Sequence, residues 1–119
     1  MNRILIAGLG LIGGSLAKAI KRSHPDMIIA GTDKDKTNID LAIAKGVIVD
    51  ENPSVNDKAD ICFVCTPVNV IADVAAKMSR YVKSGGIITD VGSTKSETIQ
   101  KLRDAVPSDI HIIGGHPMT

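Results

Sequence analysis

The chain has 119 residues, enough for one domain and too few for two. Its 14 Lys and Arg against 13 Asp and Glu leave a net charge of +1, which argues against nucleic acid or an anionic membrane as a partner. Apolar residues make up 44% and the only aromatics are Phe63 and Tyr81, so the core must be aliphatic, as in a sheet covered on both faces.

No stretch reaches the ~18 apolar residues that a membrane-spanning helix needs. Arg3 precedes an apolar run, but the run breaks at Gly8 with no small-residue cleavage site, so no signal peptide is expected and the chain reads as cytoplasmic.

Arg3–Ala7 reads as the first strand. Gly8, Gly10 and Gly13 follow at G-x-G-x-x-G spacing, and Leu9–Arg22 reads as a helix with Leu11, Ile12, Leu16, Ala17, Ala19 and Ile20 as its apolar positions. Pro25 lies in the break after it, and Met27–Gly31 is the second strand, ending at Thr32-Asp33. A second helix starts at Asp35 or Thr37 and runs to Lys45, with Gly46 as its C-terminal glycine. Val47–Val49 is a short third strand. Residues 50–58 are polar and form a loop, with room for one helical turn after Pro53.

Ala59–Cys65 is the fourth strand, apolar and β-branched, and Thr66-Pro67 ends it. Val68–Val82 is the third helix, with Val70, Ile71, Val74, Ala75 and Met78 facing inward. Ser84-Gly85-Gly86 is a turn, Ile87–Val91 the fifth strand, Ser96 or Glu97 to Ala105 the fourth helix, and Ile110–Ile113 the sixth strand. Strands alternating with helices predict an α/β doubly wound parallel sheet, a Rossmann fold in a single domain, with strand order 3-2-1-4-5-6. Cys62 and Cys65 are three apart on a strand, hence on opposite faces, and are expected as buried free thiols rather than a redox pair.

In such a sheet ligands bind beyond the carboxyl ends of the strands, where strand order reverses. Those ends carry Gly8, Asp33, Cys65-Thr66-Pro67, Gly92-Ser93 and Gly114-Gly115-His116. The glycine turn after a strand and before a helix, with an acid about twenty residues on, is a dinucleotide-binding pattern. Gly8 permits the turn, Gly10 lets backbone approach a pyrophosphate, Gly13 lets the helix pack on the sheet, and the free amides at the helix start face the phosphates. Leu9, Leu11 and Ile12 belong to the same cradle.

Asp33 is expected to accept from the adenosine ribose hydroxyls, which favours NAD over NADP; the alternative is an N-cap of the second helix. Lys34 and Lys36 beside it would tolerate a 2′-phosphate. Thr66-Pro67 lies over the middle of the cofactor or is a plain strand-to-helix corner. Ser93 offers its hydroxyl to the site, caps the fourth helix, or does both, with Thr94 as the other candidate cap. Lys95 opposes the dipole of that helix, a weak hint of an anion nearby. His24 is expected to be exposed and His111 half-buried in the sheet. His116 stands at the functional edge, where a neutral imidazole can take a proton from a substrate hydroxyl. No metal site is expected.

Four segments resemble the prephenate and arogenate dehydrogenase family. They are Gly8-Leu9-Gly10-Leu11-Ile12-Gly13-Gly14-Ser15-Leu16, Cys65-Thr66-Pro67-Val68, Asp90-Val91-Gly92-Ser93-Thr94-Lys95 and Gly114-Gly115-His116-Pro117-Met118. The first is common to many dehydrogenases; the last two together are far more specific, and the resemblance covers essentially the whole chain. It implies NAD-dependent oxidative decarboxylation of prephenate to 4-hydroxyphenylpyruvate in tyrosine biosynthesis. By resemblance His116 takes the proton of the C4 hydroxyl, and Ser93 orients that hydroxyl and the nicotinamide. It also implies a further helical domain, absent from this chain, that forms a homodimer and holds the substrate carboxylates. The isolated chain is therefore expected to bind dinucleotide and turn over little substrate. The competing readings are a related dehydrogenase acting on a β-hydroxy acid or an imine, and a non-catalytic NAD(H)-sensing domain.

Overall fold

A computed structural model of the chain describes residues 2–50, 52–91 and 96–114. Its elements are β1 (Arg3–Ala7), α1 (Leu11–Ser23), β2 (Ile28–Thr32), α2 (Lys36–Ala44), β3 (Ala59–Val64), α3 (Ile71–Met78), β4 (Val82–Asp90), α4 (Ser96–Ala105) and β5 (His111–Ile113). The strands form one parallel sheet in the order β2-β1-β3-β4-β5. This is the α/β doubly wound arrangement that the alternation of strands and helices predicts.

The apolar core divides between the two faces of that sheet. Strand side chains alternate in direction, so β1 sends Ile4 and Ile6 to one face and Leu5 to the other. Ile4 and Ile6 join Ile29 with Ala17 of α1 and Ala42 of α2. Leu5 joins Cys62, Val64 and Ile88 with Ile71 and Ala75 of α3 and Leu102 of α4. Cys62 is buried in this second layer and Cys65 packs against the first, so the two thiols lie on opposite faces and are free. Burial pushes the Cys65 thiol up to about 11 and the Cys62 thiol higher still. Neither is a nucleophile near neutral pH.

Several boundaries differ from the sequence reading. Val47–Val49 is not a strand: Val47 and Ile48 are consecutive and both buried, whereas a strand at the sheet edge would turn every second side chain outward. A single bond from the Val49 amide to the Ile29 carbonyl (2.9 Å) is what remains of the expected pairing. The rest of the order stands, with five strands among the described residues in place of six.

Residues 52–58 contain no helical turn. The third helix is not continuous over Val68–Val82; 3₁₀ turns at Val68–Val70 and Ser79–Tyr81 flank a shorter α-helix. The Ser79 hydroxyl donates to the Ala76 carbonyl at 2.7 Å, where the winding tightens. The turn at Ser84-Gly85-Gly86 exists, but inside β4: Ala59 pairs with Val82 and Ile61 with Ile87, so the intervening residues bulge out around Gly85 at φ +83°.

The amino end of the sheet is tied by Asp60, which accepts from the amides of Asn2 (3.0 Å) and Arg3 (3.2 Å) and from Lys83 Nζ (3.1 Å). Burial works to raise its pKa, but the bonds from Arg3, Lys83 and Asn2 outweigh it and hold the carboxyl below its usual value. The carboxyl ends of the strands lie at the opposite edge.

Candidate dinucleotide-binding site

The chain leaves β1 for β2 on one side and later crosses to β3 on the other. The carboxyl ends of β1 and β3 therefore flank the point where strand order reverses. Backbone bonds extend the ladder there: Gly8 N–H donates to Thr32 O and Cys65 N–H to Ala7 O, both at 2.8 Å.

The three glycines have three different reasons to be glycine. Gly8 sits at φ +99°, and a Cβ on it would meet the Cys65 carbonyl oxygen at 2.6 Å. A Cβ on Gly13 would lie 1.7 Å from the Gly8 carbonyl oxygen, because the first turn of α1 rests directly on the loop. Gly10 differs from both: a Cβ there would meet nothing within 4 Å, so no packing inside the protein requires a glycine. The space beside it is open, as close approach by a ligand requires.

Helix α1 begins later than the apolar pattern suggests. Leu9 and Gly10 precede it, and Gly10 is an extended N-cap without a side-chain cap. The first intrahelical bond to that cap is Gly14 N–H to Gly10 O at 2.8 Å. The amides of Leu11, Ile12 and Gly13 thus lie outside the helical ladder, and the first turn carries no acid. Uncapped amides and the helix dipole together favour an anion. Leu11 (89% exposed) and Ile12 (57%) do not face the core, contrary to their place in the apolar pattern; they rim this opening. Leu9 points the other way, buried against Gly31 of β2.

Asp33 follows β2 and does not cap α2. The cap is Asp35, whose side chain accepts from the Thr37 amide at 3.0 Å. Asp33 instead reaches the glycine loop: its Oδ2 accepts from the Leu9 amide at 2.7 Å and from Asn38 Nδ2 at 3.3 Å, and its Oδ1 accepts from the Asp35 amide at 2.8 Å. An ionised carboxylate has about four acceptor positions. Three are filled, and the one left is on Oδ1. Lys34 and Lys36 beside it are exposed.

Across the crevice, Thr66 is half-buried and its methyl group would lie 3.3 Å from a Cβ on Gly8. Its Oγ1 is buried and has no hydrogen-bond partner among the described residues. A buried hydroxyl without a partner costs about 1–3 kcal/mol, so a hydroxyl or phosphate oxygen placed here would relieve a standing penalty. Pro67 is exposed.

The crevice thus brings together Gly8, Gly10, Gly13, Asp33 and Thr66. Ser93 and His116 lie outside the described residues, as do Thr94, Lys95 and the remainder of the C-terminal motif beyond Gly114. His24 is exposed as expected; His111 is also exposed, because β5 is the last strand of the described sheet. A groove of about 600 Å³ flanks β5 between Arg103, Pro107 and His111, away from the crevice.

Two acids or amides at this edge escape a reading of periodicity. Asp90, at the end of β4, is fully buried. Asn38 touches Asp33 only because it stands at the third position of α2, where a side chain can reach back over the helix start.

The description of the matching family model is "Prephenate dehydrogenase, nucleotide-binding domain", and it spans residues 16–119. That span starts beyond the three motif glycines, so the match does not rest on the motif shared most widely among dehydrogenases. The chain is 37% identical over 122 residues to a prephenate dehydrogenase of Lactococcus lactis subsp. cremoris, covering 99% of this chain and 34% of that protein. It is 38% identical over 122 residues to a prephenate dehydrogenase of Bacillus subtilis, covering 98% and 33% respectively. Among solved structures, prephenate dehydrogenase from Aquifex aeolicus in complex with hydroxyphenyl propionate and NAD+ superposes with a TM-score of 0.85 at 30% identity, over 99% of this chain and 42% of that one. The chain spans about a third of the curated relatives it matches. With the glycine loop, the acid after β2 and the parallel sheet all in place, the chain belongs to the prephenate dehydrogenase nucleotide-binding domain family.

Proposed function

We propose that the crevice between β1 and β3 binds NAD, and that the chain is the cofactor-binding portion of an NAD-dependent prephenate dehydrogenase. The observation that carries this reading is the uncapped start of α1 beside the open flank of Gly10. The amides of Leu11, Ile12 and Gly13 would hold the pyrophosphate. The free acceptor position of Asp33 Oδ1 takes an adenosine ribose hydroxyl, and a 2′-phosphate there would meet its negative charge. Thr66 Oγ1 would meet the middle of the dinucleotide and gain a partner that no described residue supplies.

When bound, NAD supplies the hydride acceptor for the hydrogen on C4 of the prephenate ring. His116 takes the proton of the C4 hydroxyl, and Ser93 orients that hydroxyl against the nicotinamide. Loss of carbon dioxide makes the ring aromatic and the step practically irreversible, giving 4-hydroxyphenylpyruvate. The protein's contribution is position: it holds hydroxyl, ring hydrogen and imidazole in one reactive geometry. A further part of the complete enzyme supplies the groups for the substrate carboxylates and the homodimer contact, and the enzyme works in the cytoplasm.

The 119-residue chain alone is therefore expected to bind NAD yet form NADH from prephenate at a small fraction of the complete enzyme's rate. The check is prephenate-dependent NADH absorbance with saturating NAD. Robust turnover by the isolated chain would contradict the division of labour proposed.

A further inference from the structure

We propose that Asn38 is a positioning residue for cofactor choice: it holds the Asp33 carboxylate in the orientation that accepts NAD and disfavours NADP. The inference rests on the proposed placement of the adenosine ribose at Asp33.

Three donors fix the Asp33 carboxylate, and only one of them is a side chain. The Leu9 and Asp35 amides belong to backbone that the loop and the α2 cap hold in place. Asn38 Nδ2 reaches Oδ2 at 3.3 Å from the first turn of α2 and is half-buried. The Leu9 bond restrains Oδ2 from the β1 side, and the Asn38 bond restrains it from the α2 side. With both in place, Oδ2 is committed to the protein and Oδ1 carries the acceptor position left for a ribose hydroxyl.

Without Asn38 the carboxylate keeps one backbone donor on each oxygen, but Oδ2 loses its restraint from the α2 side, so the carboxyl plane can tilt and a second acceptor position opens on Oδ2. Two consequences follow from the surroundings. The ribose loses a pre-oriented acceptor, which weakens NAD. The charge of Asp33 is no longer fixed where a 2′-phosphate would stand, while Lys34 and Lys36 are exposed close by in the chain and free to meet that phosphate. NADP is thereby affected less than NAD, or gains.

The experiment is calorimetric titration of the chain and of Asn38→Ala with NAD and with NADP, with thermal unfolding recorded for each. Alanine is a strong helix former, so α2 keeps its propensity. A hydrogen bond to a charged group sets the scale: NAD affinity should fall about tenfold, and the preference for NAD over NADP should fall by a similar factor. In an Asp33→Ala background, Asn38→Ala should leave the preference where Asp33→Ala alone put it, since there is no carboxylate left to orient. A merely structural role for Asn38 would weaken both cofactors in parallel or lower thermal stability with the preference intact, and either result overturns the proposal. If Asn38→Ala does not fold, Asn38→Leu tests the same loss of donor. Absence of any NAD preference in the unsubstituted chain would instead overturn the assignment of Asp33, and the role of Asn38 with it.

Discussion

Gly13→Ala is expected to cost about 3 kcal/mol or more of stability and to abolish NAD binding. The added methyl carbon would sit 1.7 Å from the Gly8 carbonyl oxygen, well inside contact distance. That neighbour is backbone, so no rotamer change relieves the clash. Overpacking in a dense core typically costs about 1–3 kcal/mol, and a clash with fixed backbone belongs at or beyond the top of that range. For a domain of this size the melting temperature should drop by roughly 10 °C or more. Relief requires α1 to lift from the loop, which moves the amides of Leu11 and Ile12 away from any phosphate. Gly10→Ala is the contrast within the same motif. Its Cβ meets nothing, so stability should change by about 1 kcal/mol or less, the usual cost of alanine at an N-cap. Affinity should still fall, because the methyl group occupies the approach of the ligand. Thermal unfolding and NAD titration on both variants separate a glycine required by packing from one required by a ligand. Equal loss of stability in the two would contradict this division.

His116→Asn, made in the complete enzyme, is expected to lower prephenate turnover by roughly 10²–10⁴-fold, the usual worth of a positioned general base. NAD affinity should stay within about twofold. Asparagine keeps a hydrogen-bonding side chain of related shape but cannot accept the proton that leaves the substrate hydroxyl. In the proposed site the adenosine, pyrophosphate and central parts of the cofactor would lie on Asp33, the α1 amides and Thr66, none of which this change touches. Steady-state kinetics with a separate NAD titration make the distinction. Unchanged turnover would remove the catalytic role of His116. A parallel loss of NAD affinity would make it a cofactor residue instead.

What could be read from the chain before folding was mostly local. The glycine spacing, the apolar first strand and the acid after the second strand lie within 33 residues and need only short-range geometry. Opposite faces for Cys62 and Cys65 follow from strand alternation alone. The misread parts depend on tertiary context. Val47–Val49 has strand-forming residues, but Val47 and Ile48 both turn into the layer beneath α1 and α2, which a regular edge strand forbids. Leu11 and Ile12 fit an apolar helical pattern, yet both stand in the first turn of α1 and are exposed. Asp33 and Asp35 are both plausible caps by spacing; the loop donates its Leu9 amide to Asp33, and Asp35 is left to cap α2. The Thr66 hydroxyl gives no signal in sequence, because lack of a partner is a property of the folded surroundings. Asn38 is likewise silent until α2 is placed against the end of β2.

If the crevice at the ends of β1 and β3 is an NAD site with Asp33 at the adenosine ribose, the chain discriminates between the two dinucleotides. Titrating the 119-residue chain with NAD and then with NADP tests it most directly. A single site with tighter binding of NAD is the expected result. Equal affinity, or tighter binding of NADP, would contradict the role of Asp33, and absence of binding by either would contradict the site itself.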